Sequence, residues 1–403
     1  MKKEKLNNLF ENFLKREDIF LDKNKLQISY IPDTIGHREE QIKQIANILA
    51  PSLKLNRPSN IFIYGKTGTG KTVSVKHIIS NMMELADKKN ISLHSIYTNC
   101  KLKRVADTEY RIIAQLGREL GEEIPNTGLP TDEVYKIFFD VLEKKEILLL
   151  IILDEIDQLV NKAGDAVLYN LVRINEELKK SQISIVGISN NSRFIDLIEP
   201  RVKSCLSEED VLFPPYNALQ LQDILRQRTK HAFKKSVLEQ GVIEKCAAYS
   251  AKEHGDARRA LDLLRVAGEV AERECSKKVK ITHIDEAESK IEHDRVLDIV
   301  RTQPKQSQAT LFAILLLDSI QQKTILTGQI YDNYKKVCSQ TGLKSLTQRR
   351  IGDIIAELDM LGIINAKVIS KGRYGRTREI TLATSDTSNL KIKQILEEGL
   401  DLS

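Results

Sequence analysis

Ile61-Phe62-Ile63-Tyr64-Gly65-Lys66-Thr67-Gly68-Thr69-Gly70-Lys71-Thr72 is the stretch on which the reading of this chain turns. Its first four residues are apolar, as suits a buried parallel strand. Gly65 to Gly70 then makes a tight turn, and a helix can start at Lys71. Glycines let backbone N–H groups approach phosphate oxygens, and a helix N-terminus favours anionic charge. Lys71 reaches terminal phosphates, while the Thr72 hydroxyl is a magnesium ligand. Gly65, Gly68, Thr69, Gly70, Lys71, Thr72 and Val73 are therefore nucleotide-binding candidates, and the context predicts a strand–loop–helix unit of an α/β sheet.

Working outward, strands alternate with helices. His37 to Leu49 reads as a helix ended by Pro51, and the helix of the phosphate loop runs to about Asp87. Strands are predicted at Ser92 to Thr98, Ile147 to Leu153 and Ile183 to Ser189, with helices at Thr108 to Leu120, Thr131 to Glu143 and Ala166 to Lys179. Gly121 to Pro130 breaks the pattern, and the region 121–143 reads as an insertion. Beyond Phe213-Pro214-Pro215 the strand signals stop. The chain is then read as helical to about His293, with segments at Leu219 to Lys230, Ser236 to Ser250 and Ala257 to Cys275. Residues 1–28 carry Leu6, Leu9, Phe10, Phe13 and Leu14 at helical spacing and read as a weakly anchored extension. The expected divisions are 1–28, a base at 29–213, a helical lid at 214–300 and a last domain at 301–403, with Thr302 to Ser307 as linker.

Asp154 and Glu155 lie where the apolar strand leaves the sheet, the end at which parallel α/β folds bind ligands. Asp154 is the candidate partner of Thr72 in holding Mg2+, and Glu155 the candidate for polarising a water against a γ-phosphate. Asn190 ends the next strand and could reach the same phosphate or water. Asn191 is the alternative, and either could simply favour the turn. If the helix opened by Gly255-Asp256-Ala257-Arg258-Arg259 caps the nucleotide, Arg258 becomes a sensor of phosphate charge.

With 403 residues, 41% hydrophobic and 29% charged, the composition is that of a globular chain of two or three domains. The apolar run Ile147 to Leu153 falls far short of the roughly 20 residues of a bilayer span, so the expectation is a cytoplasmic protein without a membrane partner. The five cysteines are scattered singly, without zinc-ligand spacing. A net charge of +6 permits a polyanionic partner.

Near the C-terminus, Thr310 to Ile320, Thr327 to Thr341 and Thr347 to Leu361 read as helices. Ile351, Ile354, Ile355, Leu358 and Leu361 form one apolar stripe on the third. Lys344, Thr347, Gln348, Arg349 and Arg350 gather at its start, where a recognition helix touches DNA. Strands at Ile363 to Ser370 and Arg378 to Ala383 flank a hairpin tip bearing Lys371, Arg373, Tyr374, Arg376 and Arg378. The tip is either a wing contacting phosphates or a solvated basic hairpin.

Taken in order, several segments resemble the archaeal origin-recognition and cell-division-control-six group of AAA+ replication initiators. They are the phosphate loop, Leu153-Asp154-Glu155-Ile156-Asp157, Gly187-Ile188-Ser189-Asn190-Asn191, Glu199-Pro200-Arg201-Val202-Lys203-Ser204, Phe213-Pro214-Pro215-Tyr216-Asn217-Ala218 and Gly255-Asp256-Ala257-Arg258-Arg259-Ala260-Leu261-Asp262. The resemblance runs from about Ile31 to Ile380. It implies a RecA-like base, a helical lid and a C-terminal winged helix. Asn190 would be the first sensor and Arg258 the second, and Tyr216 and Arg228 would touch nucleotide. Ile31-Pro32 and His37-Arg38-Glu39 would border the adenine pocket. The implied cofactors are ATP or ADP with Mg2+, and the implied partners are duplex origin DNA, the replicative helicase and other initiator subunits, with the protein on the nucleoid. ATP hydrolysis would be a slow switch. The chain departs from the family at Lys101 to Asp107, which is longer than the usual connection. Lys101, Lys103 and Arg104 there are either DNA contacts or a solvated loop. Arg201 either acts across a subunit boundary or caps its helix. A regulatory AAA+ ATPase, with its winged helix on a promoter or a protein, is the alternative reading.

Overall fold

The structure, a computed structural model, describes residues 18–27, 30–32, 34–101, 108–191, 194, 198–206, 208–320, 325–370, 376–383 and 386–402. The chain forms two compact units, Met1–Ile284 and Asp285–Ser403.

In the first unit α1 (Glu39–Leu49) precedes β1 (Asn60–Tyr64), α2 (Lys71–Lys89), β2 (Leu93–Asn99), α3 (Glu109–Glu119), α4 (Thr131–Lys145), β3 (Leu148–Asp154), α5 (Ile156–Ala163), α6 (Ala166–Glu177), β4 (Gln182–Ser189), α7 (Pro200–Leu206) and β5 (Glu208–Leu212). The sheet order is β2-β3-β4-β1-β5 with every pairing parallel. Strand residues alternate between two cores, as the pleat requires. Leu149, Ile151 and Leu153 pack with α3 to α7, whereas Leu148, Leu150 and Ile152 pack with α1 and α2. β3 is buried along its whole length, which is why it reads as an unbroken apolar run. The α1 helix starts two residues later than predicted because His37 sits at φ 63°, outside helical backbone.

Three helices complete this unit: α8 (Ala218–Ala232), α9 (Val242–Lys252) and α10 (Ala257–Arg273). The predicted helix Ser236 to Ser250 loses its first turn. Ser236 and Gly241 both have positive φ, and Leu238 pairs with Val279 in an isolated bridge. The N-terminal extension is firmly held over its described part. Phe20 bridges Phe233 with their rings stacked at 4.6 Å, Leu21 N–H donates to the Ala232 carbonyl at 2.8 Å, and Lys23 pairs with Glu272 at 2.8 Å. The Phe20 ring fills a notch at Gly268, where a β-carbon would come within 2.4 Å of it. The expected helix around Leu6 to Leu14 lies outside the described residues.

α11 (Ile281–Thr302) leads into α12 (Lys305–Ile320), so the expected linker Thr302 to Ser307 contracts to Gln303 and Pro304. The second unit continues with β6 (Ile325–Leu326), α13 (Thr327–Thr341), α14 (Gln348–Met360), β7 (Ile364–Ser370), β8 (Arg376–Leu382) and α15 (Asp386–Gly399). Its sheet is antiparallel in the order β6-β8-β7. Ile351, Ile354, Ile355 and Leu358 of α14 join Ile330, Tyr334, Ile364, Ile380 and Leu396 in one core, which is a winged helix. Among the described residues, no helix is long and apolar enough to cross a membrane.

Candidate functional site

A cavity of about 600 Å³ opens in the first unit at the carboxyl ends of β1, β3 and β4. The turn after β1 is forced by its glycines. Gly68 (φ 69°) and Gly70 (φ 89°) are left-handed. A β-carbon on Gly68 would come within 1.7 Å of Asp256 Oδ1, and one on Gly70 within 2.6 Å of the Tyr216 hydroxyl. Lys71 starts α2 and folds back. Its ammonium donates to the Gly65 and Lys66 carbonyls at 2.7 Å each and to Asn190 Oδ1 at 2.9 Å. Burial, with Arg258 as the next cause, pushes the Lys71 ammonium down to about 8.

On the same wall the Thr72 hydroxyl donates to Asp154 Oδ2 at 2.9 Å. Both groups offer hard oxygen atoms, the donor type a magnesium ion takes. Tyr97 of β2 donates to the same Oδ2 at 2.6 Å, and burial followed by the Asp154 contact pushes its phenol upward. Glu155 has φ 56°, a left-handed conformation that costs a non-glycine residue roughly 1–2 kcal/mol. Its carboxylate lies 3.8 Å from the Lys101 ammonium, so Lys101 faces the acid. Lys103 and Arg104 lie outside the described residues.

Opposite the phosphate loop, Asp256 caps α10 by accepting from the Arg258 N–H at 2.8 Å, and the Ala257 N–H donates to the Gly68 carbonyl at 3.2 Å. These bonds bring Arg258 to the cavity wall. Ile31, Tyr216, Val73 and Arg228 also line it. Arg228 donates to the Lys25 and Tyr30 carbonyls at 3.4 and 3.3 Å and stacks on the Tyr30 ring at 4.6 Å. Asn190 faces the cavity, whereas the Asn191 N–H is turned to Ser189 Oγ at 3.0 Å. Arg201 is exposed and paired with Glu199 at 2.7 Å.

Of two further contributors, Arg38 was reached only within the His37-Arg38-Glu39 segment that the resemblance sets beside the adenine pocket, and one escaped the sequence reading. Arg38 is fully buried and donates to the carbonyls of Thr69 (2.8 Å), His37 (3.1 Å) and Pro214 (2.5 Å), with its guanidinium 3.8 Å from the Tyr216 ring centroid. Desolvation pushes that guanidinium down, and Tyr216 partly offsets it. Tyr97 is the other; the signal available was an aromatic residue on the strand beside Asp154.

In the second unit the Thr347 hydroxyl caps α14 by accepting from the Arg350 N–H at 3.4 Å. Lys344, Gln348, Arg349 and Arg350 are exposed around that first turn, and Arg350 lies 3.6 Å from Asp353. A shallow groove beside α14 is lined by Gln348, Arg349, Val368 and Arg378. Arg378 turns inward and donates to the Gly352 carbonyl, tying β8 to α14. Lys371, Arg373 and Tyr374 lie outside the described residues, as does the side chain of Arg376.

A parallel sheet in the order 2-3-4-1-5, a phosphate loop, an Asp-Glu strand end and a helical segment carrying an arginine to the loop define a nucleotide-binding ATPase of the AAA+ class. Three family profiles match in succession: "ATPase domain predominantly from Archaea" at residues 36–208, "Cdc6 AAA+ ATPase-type lid domain" at 222–289 and "CDC6, C terminal winged helix domain" at 298–391. The chain is 51% identical over 396 residues to an ORC1-type DNA replication protein of Pyrococcus furiosus, covering 97% of this chain and 93% of that one. It therefore belongs to the ORC1/Cdc6 family of AAA+ replication initiators. An ORC1-type DNA replication protein 1 of Archaeoglobus fulgidus is 50% identical over 395 residues, covering 98% of this chain and 95% of the relative. The solved structure of the Aeropyrum pernix ORC1 protein in complex with DNA superposes with a TM-score of 0.80 at 41% identity, covering 95% of this chain and 97% of that one.

Proposed function

We propose that this initiator binds duplex origin DNA and uses its nucleotide state as a slow switch in recruiting the replicative helicase. Residues 29–213 would serve as the base, 214–300 as the lid and 301–403 as the DNA-binding part. The observation that carries this reading is the convergence of Lys71, Thr72, Asp154, Glu155, Asn190, Arg258 and Arg228 on one cavity. Bound ATP with Mg2+ would supply the γ-phosphate and the charge that polarises it. Lys71 and the loop N–H groups hold phosphates, and Thr72 with Asp154 holds the cation. Asn190 and Lys71 share a hydrogen bond, so both would lie beside the terminal phosphate. Glu155 accepts the proton of the attacking water, and Arg258 reports phosphate charge to the lid. Ile31, Tyr216 and Arg228 enclose the base and ribose side.

In the second unit, Lys344 and the exposed turn Thr347 to Arg350 are assigned to a major groove, which their exposure at the start of α14 supports. Lys371, Arg373, Tyr374 and Arg376 are assigned to phosphate or minor-groove contact, and the inward-turned Arg378 to holding their hairpin on α14. The 41%-identical relative solved with DNA supports that assignment. Genome-wide occupancy in the host, repeated in vitro on the recovered sites with ATP and ADP, tests it. A few sharp peaks at replication start sites are expected, and peaks confined to unrelated promoters would refute the assignment.

A further inference from the structure

The Asp154 carboxylate has more protein donors than a phosphate loop alone would give it. Oδ1 accepts the Glu155 N–H at 3.0 Å. Oδ2 accepts two hydroxyls, Thr72 at 2.9 Å and Tyr97 at 2.6 Å. The third donor follows from register. β2 and β3 run parallel with Tyr97 opposite Ile152 and Asn99 opposite Asp154. Side chains at 97, 152 and 154 therefore share the face that packs on α2, and Tyr97 reaches Asp154 across the diagonal. Lys76, one turn beyond Thr72 on α2, places its ammonium over the Tyr97 ring, 4.0 Å from the centroid. The ring is thus fixed on one side by a cation and at its tip by the carboxylate.

We propose that Tyr97 is a positioning residue for the cation site: its hydroxyl locks the orientation of Asp154 while itself staying outside the set of cation ligands. This rests on the assignment of Thr72 and Asp154 to Mg2+. A carboxylate ligand needs a hydrogen-bonding partner to keep its rotamer as the cation arrives, and such partners are typically worth about 10–100-fold in metal affinity. Thr72 cannot serve as that partner alone, because its oxygen is itself one of the ligands. The Glu155 N–H holds Oδ1, and Tyr97 is the donor assigned to hold Oδ2 in its place.

The test is Tyr97→Phe in the full chain, which removes one oxygen and leaves the ring on Lys76. Mn2+ affinity is read by electron paramagnetic resonance at saturating ADP, and ADP affinity is read by calorimetry in EDTA. The expected result is Mn2+ binding weakened roughly tenfold with metal-free ADP affinity unchanged, which also shows that the variant is folded. Unchanged Mn2+ affinity would overturn the proposal. So would tighter Mn2+ binding, since the phenol would then be competing with the cation for Oδ2. Asp154→Ala measured alongside separates the two levels. If it weakens Mn2+ and Tyr97→Phe does not, the Tyr97 assignment alone falls. If Asp154→Ala also leaves Mn2+ unmoved, the cation assignment falls and takes the proposal with it.

Discussion

Lys71 carries its charge in surroundings that oppose it. Burial and Arg258 hold its ammonium at about 8, against the ordinary 10.5. In the nucleotide-free fold this lowered value costs stability below about pH 8. The cost is relieved as pH rises from there toward 10.5, where the unfolded chain also loses the proton. A phosphate placed beside Lys71 favours the charged form, so binding takes up a proton above about pH 8. ADP affinity should be level at neutral pH and fall by up to about tenfold per unit above pH 8. Calorimetry in buffers of different ionisation enthalpy would detect the uptake, and a level affinity to pH 9.5 would separate the ammonium from the phosphates. Lys71→Ala should weaken nucleotide binding by on the order of a hundredfold, the scale of a lost charge-assisted bond; unchanged affinity would remove the loop assignment. Glu155→Gln keeps the shape and the left-handed backbone and should bind ATP normally while hydrolysis fails. Full turnover by that variant would contradict Glu155 as the base.

At the scale of elements, α14 presents its apolar stripe to the core and its first turn to solvent. Arg349→Ala should therefore leave folding intact and weaken DNA binding. The slope of log affinity against log salt should drop by about one if the arginine meets a phosphate. Titrations at several salt concentrations check this, and a wild-type slope and affinity would remove Arg349 from the interface. Elements that bury a face on both sides were legible in the sequence: β1, β3 and β4 are apolar runs because helices cover both sides of them. β5 was not, because Glu208, Glu209 and Asp210 mask an edge strand in which only Val211 is buried. α5 was missed because it follows Asp154 and Glu155 with no break residue between strand and helix. The phosphate loop was legible because its chemistry is written in consecutive residues. Tyr97 meets Asp154 through strand register, which no local pattern records, and the buried contacts of Arg38 form only on folding, so resemblance gave its neighbourhood but not its partners. Arg228 was reached only through resemblance, since a lone arginine on a helix otherwise reads as solvated.

At the scale of the whole molecule, two units own separate cores, one around the parallel sheet and one around α14. Among the described residues, those assigned to nucleotide all lie in the first. Calorimetric unfolding should show two transitions, of which nucleotide raises one. At a hundred times the dissociation constant the gain is about 2.7 kcal/mol for the first unit. A single transition that moves as a whole would mean that the cores melt together. Within the first unit, the fit of the Phe20 ring over Gly268 ties the chain's opening segment to α10. A methyl at 268 needs a smaller side chain at 20. In evolutionary terms the two sites share one history: lineages that keep an aromatic ring at the first should be confined to glycine at the second, and a change at either should be followed by compensation at the other.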